Sequence, residues 1–320
     1  MKNSPIKIIL APLQGFTDIT FRNTFARHFG GVDEAMAPFI PTMGKKKLKL
    51  SRLKDVYPEN NQTLLTIPQI LGNSAEDFIF LAHCLHDMGH QKINWNLGCP
   101  HAKVANKNRG SGLLMHPGKI DAFLDHVLPG ILTGLSVKIR LGRLSKNEIY
   151  SLLPVFDKYP LDEIILHPRT GIQMYEGAPD HDAFAEARLL SRHTFVYNGD
   201  IRDLTSFQIL QKKFPDIRAF MIGRGLLSNP FLAEDIKGIP SNGNKIKRLK
   251  NFHDDLFLGY QTIYSGPAHL IGRMKGFWSY LGPSFGGKDK SLKHIMKSES
   301  ITRYKESAAD FFTEGSEFLY

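Results

Sequence analysis

Short β-branched runs separated by helical stretches predict an α/β fold, a TIM (β/α)8 barrel followed by a smaller C-terminal all-helical domain. Three observations carry that expectation. The runs number eight, polar side chains gather at their C-terminal ends, and the apolar period becomes helical after a linker.

The runs are Lys7 to Ala11, Gly31 to Ala37, Thr63 to Ile70, Lys92 to Asn96, Leu135 to Ile139, Glu163 to His167, Thr194 to Tyr197 and Arg218 to Ile222. They occupy about 220 residues, near the roughly 250 usual for such a barrel. Lys237 to Asn244 combines Gly, Pro, Ser and Asn without periodicity and reads as a linker. Beyond it, Leu249, Phe252, Leu256 and Tyr260 recur three or four apart, as on one face of a helix. The expected domains are therefore 1–238, the barrel, and 245–320, the helical part.

A hydrophobic content of 42% over 320 residues suits a globular core. The net charge of +10 points to an acidic partner, nucleic acid before an anionic membrane surface. Cys84 and Cys99 alone give neither a disulfide framework nor a cysteine-based zinc site, so no metal is expected and a reducing cytoplasm is the predicted home. The amino terminus lacks a signal-peptide core, and no stretch reaches the roughly 18 apolar residues of a membrane span. A soluble, monomeric protein without a membrane partner is expected.

In a TIM barrel the chemistry sits at the C-terminal ends of the strands. There the sequence places Gln69, Asn96, Lys138, Arg140, His167, Asn198 and Arg224, after strands three to eight in order, with Lys138 and Arg140 both following strand five. Asn198-Gly199-Asp200 and Gly223-Arg224-Gly225 follow strands seven and eight, where backbone N–H groups commonly bind a phosphate. Lys138 and Arg140 are two apart on a strand, so both can face the barrel mouth. Two inward cations call for an anion, either inward acids or a cofactor such as a reduced flavin.

Cys84 lies in the helical stretch Ala75 to Met88 and reads as a packing residue. Cys99 stands instead in a turn fixed by Gly98 and Pro100 at the functional face. A thiol of ordinary pKa, about 8.5, is protonated near neutrality and suits a general acid. His101 or Lys103 beside it would favour a nucleophile if either lowered that pKa.

The motifs, taken in order, resemble the tRNA-dihydrouridine synthase family. They are Ala11-Pro12-Leu13-Gln14-Gly15-Phe16-Thr17-Asp18 with Phe21-Arg22, Gln69-Ile70-Leu71-Gly72, Asn96-Leu97-Gly98-Cys99-Pro100, and Gly110-Ser111-Gly112-Leu113-Leu114. They continue with Val137-Lys138-Ile139-Arg140-Leu141-Gly142, His167-Pro168-Arg169-Thr170 with Tyr175, Asn198-Gly199-Asp200, and Met221-Ile222-Gly223-Arg224-Gly225. The resemblance implies bound FMN, reloaded by NADPH, and reduction of uridine in tRNA to 5,6-dihydrouridine. Flavin N5 would deliver hydride to uracil C6 while Cys99 protonates C5. It implies cofactor contacts at Pro12, Leu13, Gln69, Lys138, His167, Asn198, Gly199, Asp200, Gly223 and Arg224, and substrate contacts at Asn96, Arg140 and Tyr175. The target base would leave its stack to enter the pocket.

The helical part would hold the rest of the RNA, since Lys245 to Lys305 carries twelve Lys or Arg against four Asp or Glu. Phe277, Trp278 and Tyr280 read by themselves as helix-bundle core, and Lys45, Lys46, Lys47 and Lys49 as a solvated loop or phosphate contacts. Met36-Ala37-Pro38 stands where the family more often has a Thr-Glu pair after strand two, and Pro168 where a small residue is commoner, stiffening the predicted loop. Two other readings stay open, a flavin barrel acting on a free pyrimidine and an RNA-binding barrel without catalysis.

Overall fold

The computed structural model describes residues 5–240, 243–313 and 316–320. Eight barrel strands run in parallel: Lys7–Leu10, then Glu34–Met36 continued by Ile40–Pro41, then Leu65–Ile67 continued by Gln69–Leu71, then Lys92–Leu97, Gly134–Gly142, Ile164–Thr170, Phe195–Asn198 and Ala219–Ile222. Strands two and three are each interrupted next to a proline, Pro38 and Pro68, which has no N–H to give to a ladder. The pieces either side of Pro68 close the ring. Leu65–Ile67 pairs with strand two, and Gln69–Leu71 pairs with strand four.

The strands sit where the sequence predicts them, with two differences that matter for chemistry. Strand five runs on to Gly142 and strand six to Thr170, so Arg140 lies within a strand, as Lys138 and His167 do, and not after it. Pro168, expected in a loop, is also inside strand six, where the pairing register slips between Arg140 and Gly142. That irregularity accommodates a residue that cannot donate.

Inside the barrel, residues of strands six, seven, eight, one, two and the first piece of strand three form an apolar cluster that includes Ile165, Val196, Met221, Ile9, Met36 and Ile67. Strands three, four and five face it with buried polar side chains, Gln69, Asn94 and Ser136.

Beyond the barrel come helices Lys245–Gln261, Pro267–Leu281, Asp289–Lys297 and Ile301–Phe311, and Phe285–Gly286 pairs antiparallel with Glu317–Phe318. In the predicted linker, Lys237 closes a helix, Gly238 takes the left-handed conformation that ends it, and Asn244 caps the next; Ser241 and Asn242 lie outside the described residues. The apolar core continues past this point. Phe21 of the helix Ile19–His28 stacks on Phe277 with ring centres 5.3 Å apart and meets Phe252 edge-on. Asp18 caps the helix Ile19–His28 through the Phe21 N–H and also accepts from the Tyr260 hydroxyl and the Arg273 guanidinium. One carboxylate thus ties the first βα loop to two C-terminal helices. No helix among the described residues is long and apolar enough to cross a membrane.

Candidate active site

A cavity of about 630 Å³ opens at the C-terminal ends of the strands, within the size range of small-molecule and cofactor sites. Thirteen of the residues singled out from the sequence line it: Pro12, Leu13, Asn96, Cys99, Lys138, Arg140, His167, Tyr175, Asn198, Gly199, Asp200, Gly223 and Arg224. Gln69 does not. Its side chain is fully buried, its Oε1 accepting from Asn96 Nδ2 at 2.7 Å and its Nε2 donating to Asn94 Oδ1 at 2.7 Å and to Met36 Sδ at 3.1 Å.

Cys99 is held from every side. Asn96 Oδ1 accepts from the N–H of Gly98 (3.2 Å) and of Cys99 (2.9 Å), an Asx-type turn dictated by the Asn-x-Gly-Cys order. Arg140 Nε donates to the Gly98 carbonyl, Arg143 Nη1 to the Pro100 carbonyl, and the Ser111 N–H to the Cys99 carbonyl, each at 3.0 Å. Gly110 and Gly112 allow this approach: a Cβ on Gly110 would stand 2.7 Å from the Cys99 carbonyl oxygen, and one on Gly112 would stand 2.1 Å from that of Ala105.

Burial pushes the Cys99 thiol above its ordinary range, more than the His101 backbone N–H, Arg140 and Lys138 pull it down. The thiol is therefore protonated at neutral pH. Lys103 and the His101 ring, the neighbours the sequence suggests, are not what acts on it.

Lys138 and Arg140 do share the cavity wall, but differ in freedom. Arg140 is committed to Gly98 and, through Nη1, to the Thr170 carbonyl at 2.9 Å, with its guanidinium 5.4 Å from the Tyr175 ring centre. Lys138 lines the cavity without a hydrogen-bond or ion-pair partner among the described residues. Burial and the charge of Arg140 push its pKa down to about 7.

Across the cavity Arg169, fully buried, organises the opposite wall. Its guanidinium reaches both Asp200 oxygens at 3.0 and 2.7 Å, the carbonyls of Glu176 and Gly177, and His167 Nε2 at 3.0 Å. Guanidinium only donates, so His167 Nε2 accepts and the ring is neutral with its proton on Nδ1. Burial and the surrounding cations Arg140, Lys138, Arg169 and Arg224 hold the His167 pKa well below its usual value.

Burial alone would raise the Asp200 pKa; the bond and charge of Arg169, with Arg224 and Arg202, outweigh it and lower it. Three guanidinium groups around one carboxylate leave positive charge over for an anion. Arg224 also lies over the Tyr175 ring at 4.7 Å. Gly199 and Gly225 are there for contact within the protein as well, since a Cβ would meet the Tyr197 hydroxyl at 2.3 Å and the Ile201 carbonyl at 2.1 Å respectively.

The sequence did not single out Arg169, which it showed only as a motif letter, or Arg202, Phe39 and Tyr320. Phe277 and Trp278 are core, as expected, whereas Tyr280 lines the cavity with Phe16 set edge-on to its ring at 5.2 Å. Lys45 and Lys46 occupy an exposed turn with positive φ, away from this site.

A family model described as Dihydrouridine synthase (Dus) matches residues 9–253. The chain is 25% identical over 306 residues to a tRNA-dihydrouridine synthase B of Vibrio cholerae, covering 94% of this chain and 89% of that one. It is 27% identical over 313 residues to a probable tRNA-dihydrouridine synthase of Staphylococcus epidermidis, covering 93% and 91%. Among solved structures, DHODH from Eimeria tenella in complex with ferulenol aligns with a TM-score of 0.52 at 12% identity over 78% of this chain and 82% of that one. An old yellow enzyme homologue from Zymomonas mobilis aligns with a TM-score of 0.51 at 10% identity over 76% and 91%. At such identities the likeness is one of fold.

Proposed function

From the premise that this chain belongs to the dihydrouridine synthase family, we propose that it reduces uridine in tRNA to 5,6-dihydrouridine with bound FMN, reloaded by NADPH, in the cytoplasm. The observation that carries the reading is a thiol kept protonated by burial on the same cavity wall as a lysine without a protein partner.

The residues present fit a phosphate-bearing flavin. Lys138 offers an ammonium to an anionic ring edge, His167 keeps a neutral ring, and Asn198 to Asp200 with Gly223 and Arg224 border the arginine-rich wall, where a phosphate matches the surplus positive charge. FMN, when bound, supplies the electron pair and one of the two hydrogens that saturate the uracil C5–C6 bond. Cys99 gives the other hydrogen, as a proton, to C5, quenching the enolate charge that develops across C5 and O4. Asn96 directs its unused Nδ2 hydrogen to the uracil edge, and Arg140 and Tyr175 border the base. The barrel, 1–238, does the chemistry, and the basic helical part, 245–320, holds the tRNA body.

The test is nucleoside mass spectrometry with position mapping on tRNA from cells lacking the gene. Loss of dihydrouridine at a defined position is expected, and an unchanged dihydrouridine map would overturn the proposal. Purified protein should be yellow; a colourless protein that binds tRNA would favour a barrel without catalysis.

A further inference from the structure

The buried side chains of strands three to five form one hydrogen-bonded ladder whose polarity can be deduced link by link. The Gly98 and Cys99 N–H groups can only donate, so the group facing them must be Asn96 Oδ1, at 3.2 and 2.9 Å. Asn96 Nδ2 therefore faces Gln69 Oε1, Gln69 Nε2 faces Asn94 Oδ1, and Asn94 Nδ2 faces Ser136 Oγ, at 2.7, 2.7 and 2.9 Å. Ser136 passes its own proton to the Ile93 carbonyl at 3.3 Å, where the ladder ends. Gln69, Asn94 and Ser136 stand side by side in register across the three strands, and all are buried. Reversing any one amide would set donor against donor or acceptor against acceptor at one neighbour at least.

We propose that Asn94 and Ser136 are positioning residues that act through Gln69 and Asn96 to hold the Cys99 turn and to present the last Asn96 N–H to the cavity as a donor. Neither touches the cavity. A donor at that point matches a nucleobase carbonyl and opposes the exocyclic amine of cytosine, so the ladder also sets the preference for uracil. This assignment rests on the reading of Cys99 as the proton donor.

The test compares Asn94→Leu, which keeps the size but removes the acceptor for Gln69, with Asn94→Asp, which keeps that acceptor and takes a proton from Ser136. The first readout needs no turnover: alkylation of Cys99 by iodoacetamide, located by mass spectrometry, with Cys84 as internal control. Asn94→Leu is expected to change the Cys99 rate at least about fivefold relative to Cys84 and to lower kcat on tRNA roughly 10- to 100-fold, whereas Asn94→Asp stays within about twofold on both. Ser136→Ala, the milder variant if Asn94→Leu does not fold, is expected to change the Cys99 rate by about threefold relative to Cys84.

The proposal is overturned if Asn94→Asp fails together with Asn94→Leu, which would mean that side-chain shape or charge matters and hydrogen-bond polarity does not. It is equally overturned if Cys99 reactivity is unmoved in Asn94→Leu or, where that variant does not fold, in Ser136→Ala. Absence of dihydrouridine formation by the wild-type protein would instead remove the proposed function, and the alkylation results would still decide the ladder.

Discussion

The side of the cavity built by strands three to five keeps its shape with neutral amides, Gln69, Asn94 and Asn96, whereas the side built by strands six to eight does so with Arg169, Arg202, Arg224 and the single carboxylate of Asp200. Amides are directional and carry no net charge, so they fix the position of a thiol whose protonation is set instead by burial, against Arg140 and Lys138. Guanidinium groups are strong but unbalanced here, so that side attracts an anion, while burial and the cations of both sides keep His167 neutral. Under the proposed function, aiming a proton and retaining a phosphate fall to opposite sides of the cavity.

Removing the group that the amide side aims has the largest expected effect. Cys99→Ala should retain flavin and tRNA binding and lower kcat about 10²- to 10⁴-fold, measured as dihydrouridine formed per enzyme; wild-type turnover would take Cys99 out of the acid role. In the wild-type protein the proton-donating step should be lost as pH rises through the raised pKa of the thiol, because the acid form is the active one.

The charged side is broken most cleanly at Arg169. Arg169→Met leaves Asp200, His167 and the carbonyls of Glu176 and Gly177 without their shared donor, and a loss of about 3–5 kcal/mol in urea unfolding is expected. A change below about 1 kcal/mol would mean that Arg224 and Arg202 suffice.

Lys138 sharpens the comparison with a smaller effect, since it lies on the amide side yet carries charge. With a folded pKa of about 7 against 10.5 in the unfolded chain, its ammonium is lost first from the folded, ligand-free protein. Between those values the unfolded state holds the extra proton, so this group makes stability rise with pH. Binding reduced FMN, whose ring is anionic, beside it restores the proton. Affinity for reduced FMN should therefore fall from pH 7 to 9, with uptake of up to about one proton per site by anaerobic calorimetry in buffers of different ionisation heat. Lys138→Met should abolish the uptake, and uptake unchanged in that variant would assign it to another group.

Much of this was legible in the sequence because a barrel strand announces itself by its β-branched run and its chemistry follows at the end. Strands five and six were read too short for a physical reason. Arg140 and Pro168 look like loop residues in a one-dimensional pattern, yet strand five carries Arg140 where its inner face meets the cavity and strand six takes up Pro168 where its register slips. Asn94 and Ser136 escaped notice because one buried amide or hydroxyl in a strand carries no signal until its partner on the next strand is known. Arg169 was hidden likewise, as its five acceptors come from three separate segments of the chain. Tyr280 shows the limit of helical periodicity, which marks a face as apolar without saying whether a core or a cavity covers it.

The clasp of Asp18 with Tyr260 and Arg273 gives the molecule a definite order of completion. A ribosome has made all eight strands by the time residue 222 is joined, but Phe16 waits for Tyr280 before the rim of the cavity exists. A nascent chain that has made all eight strands thus still lacks Tyr280, and with it a finished pocket.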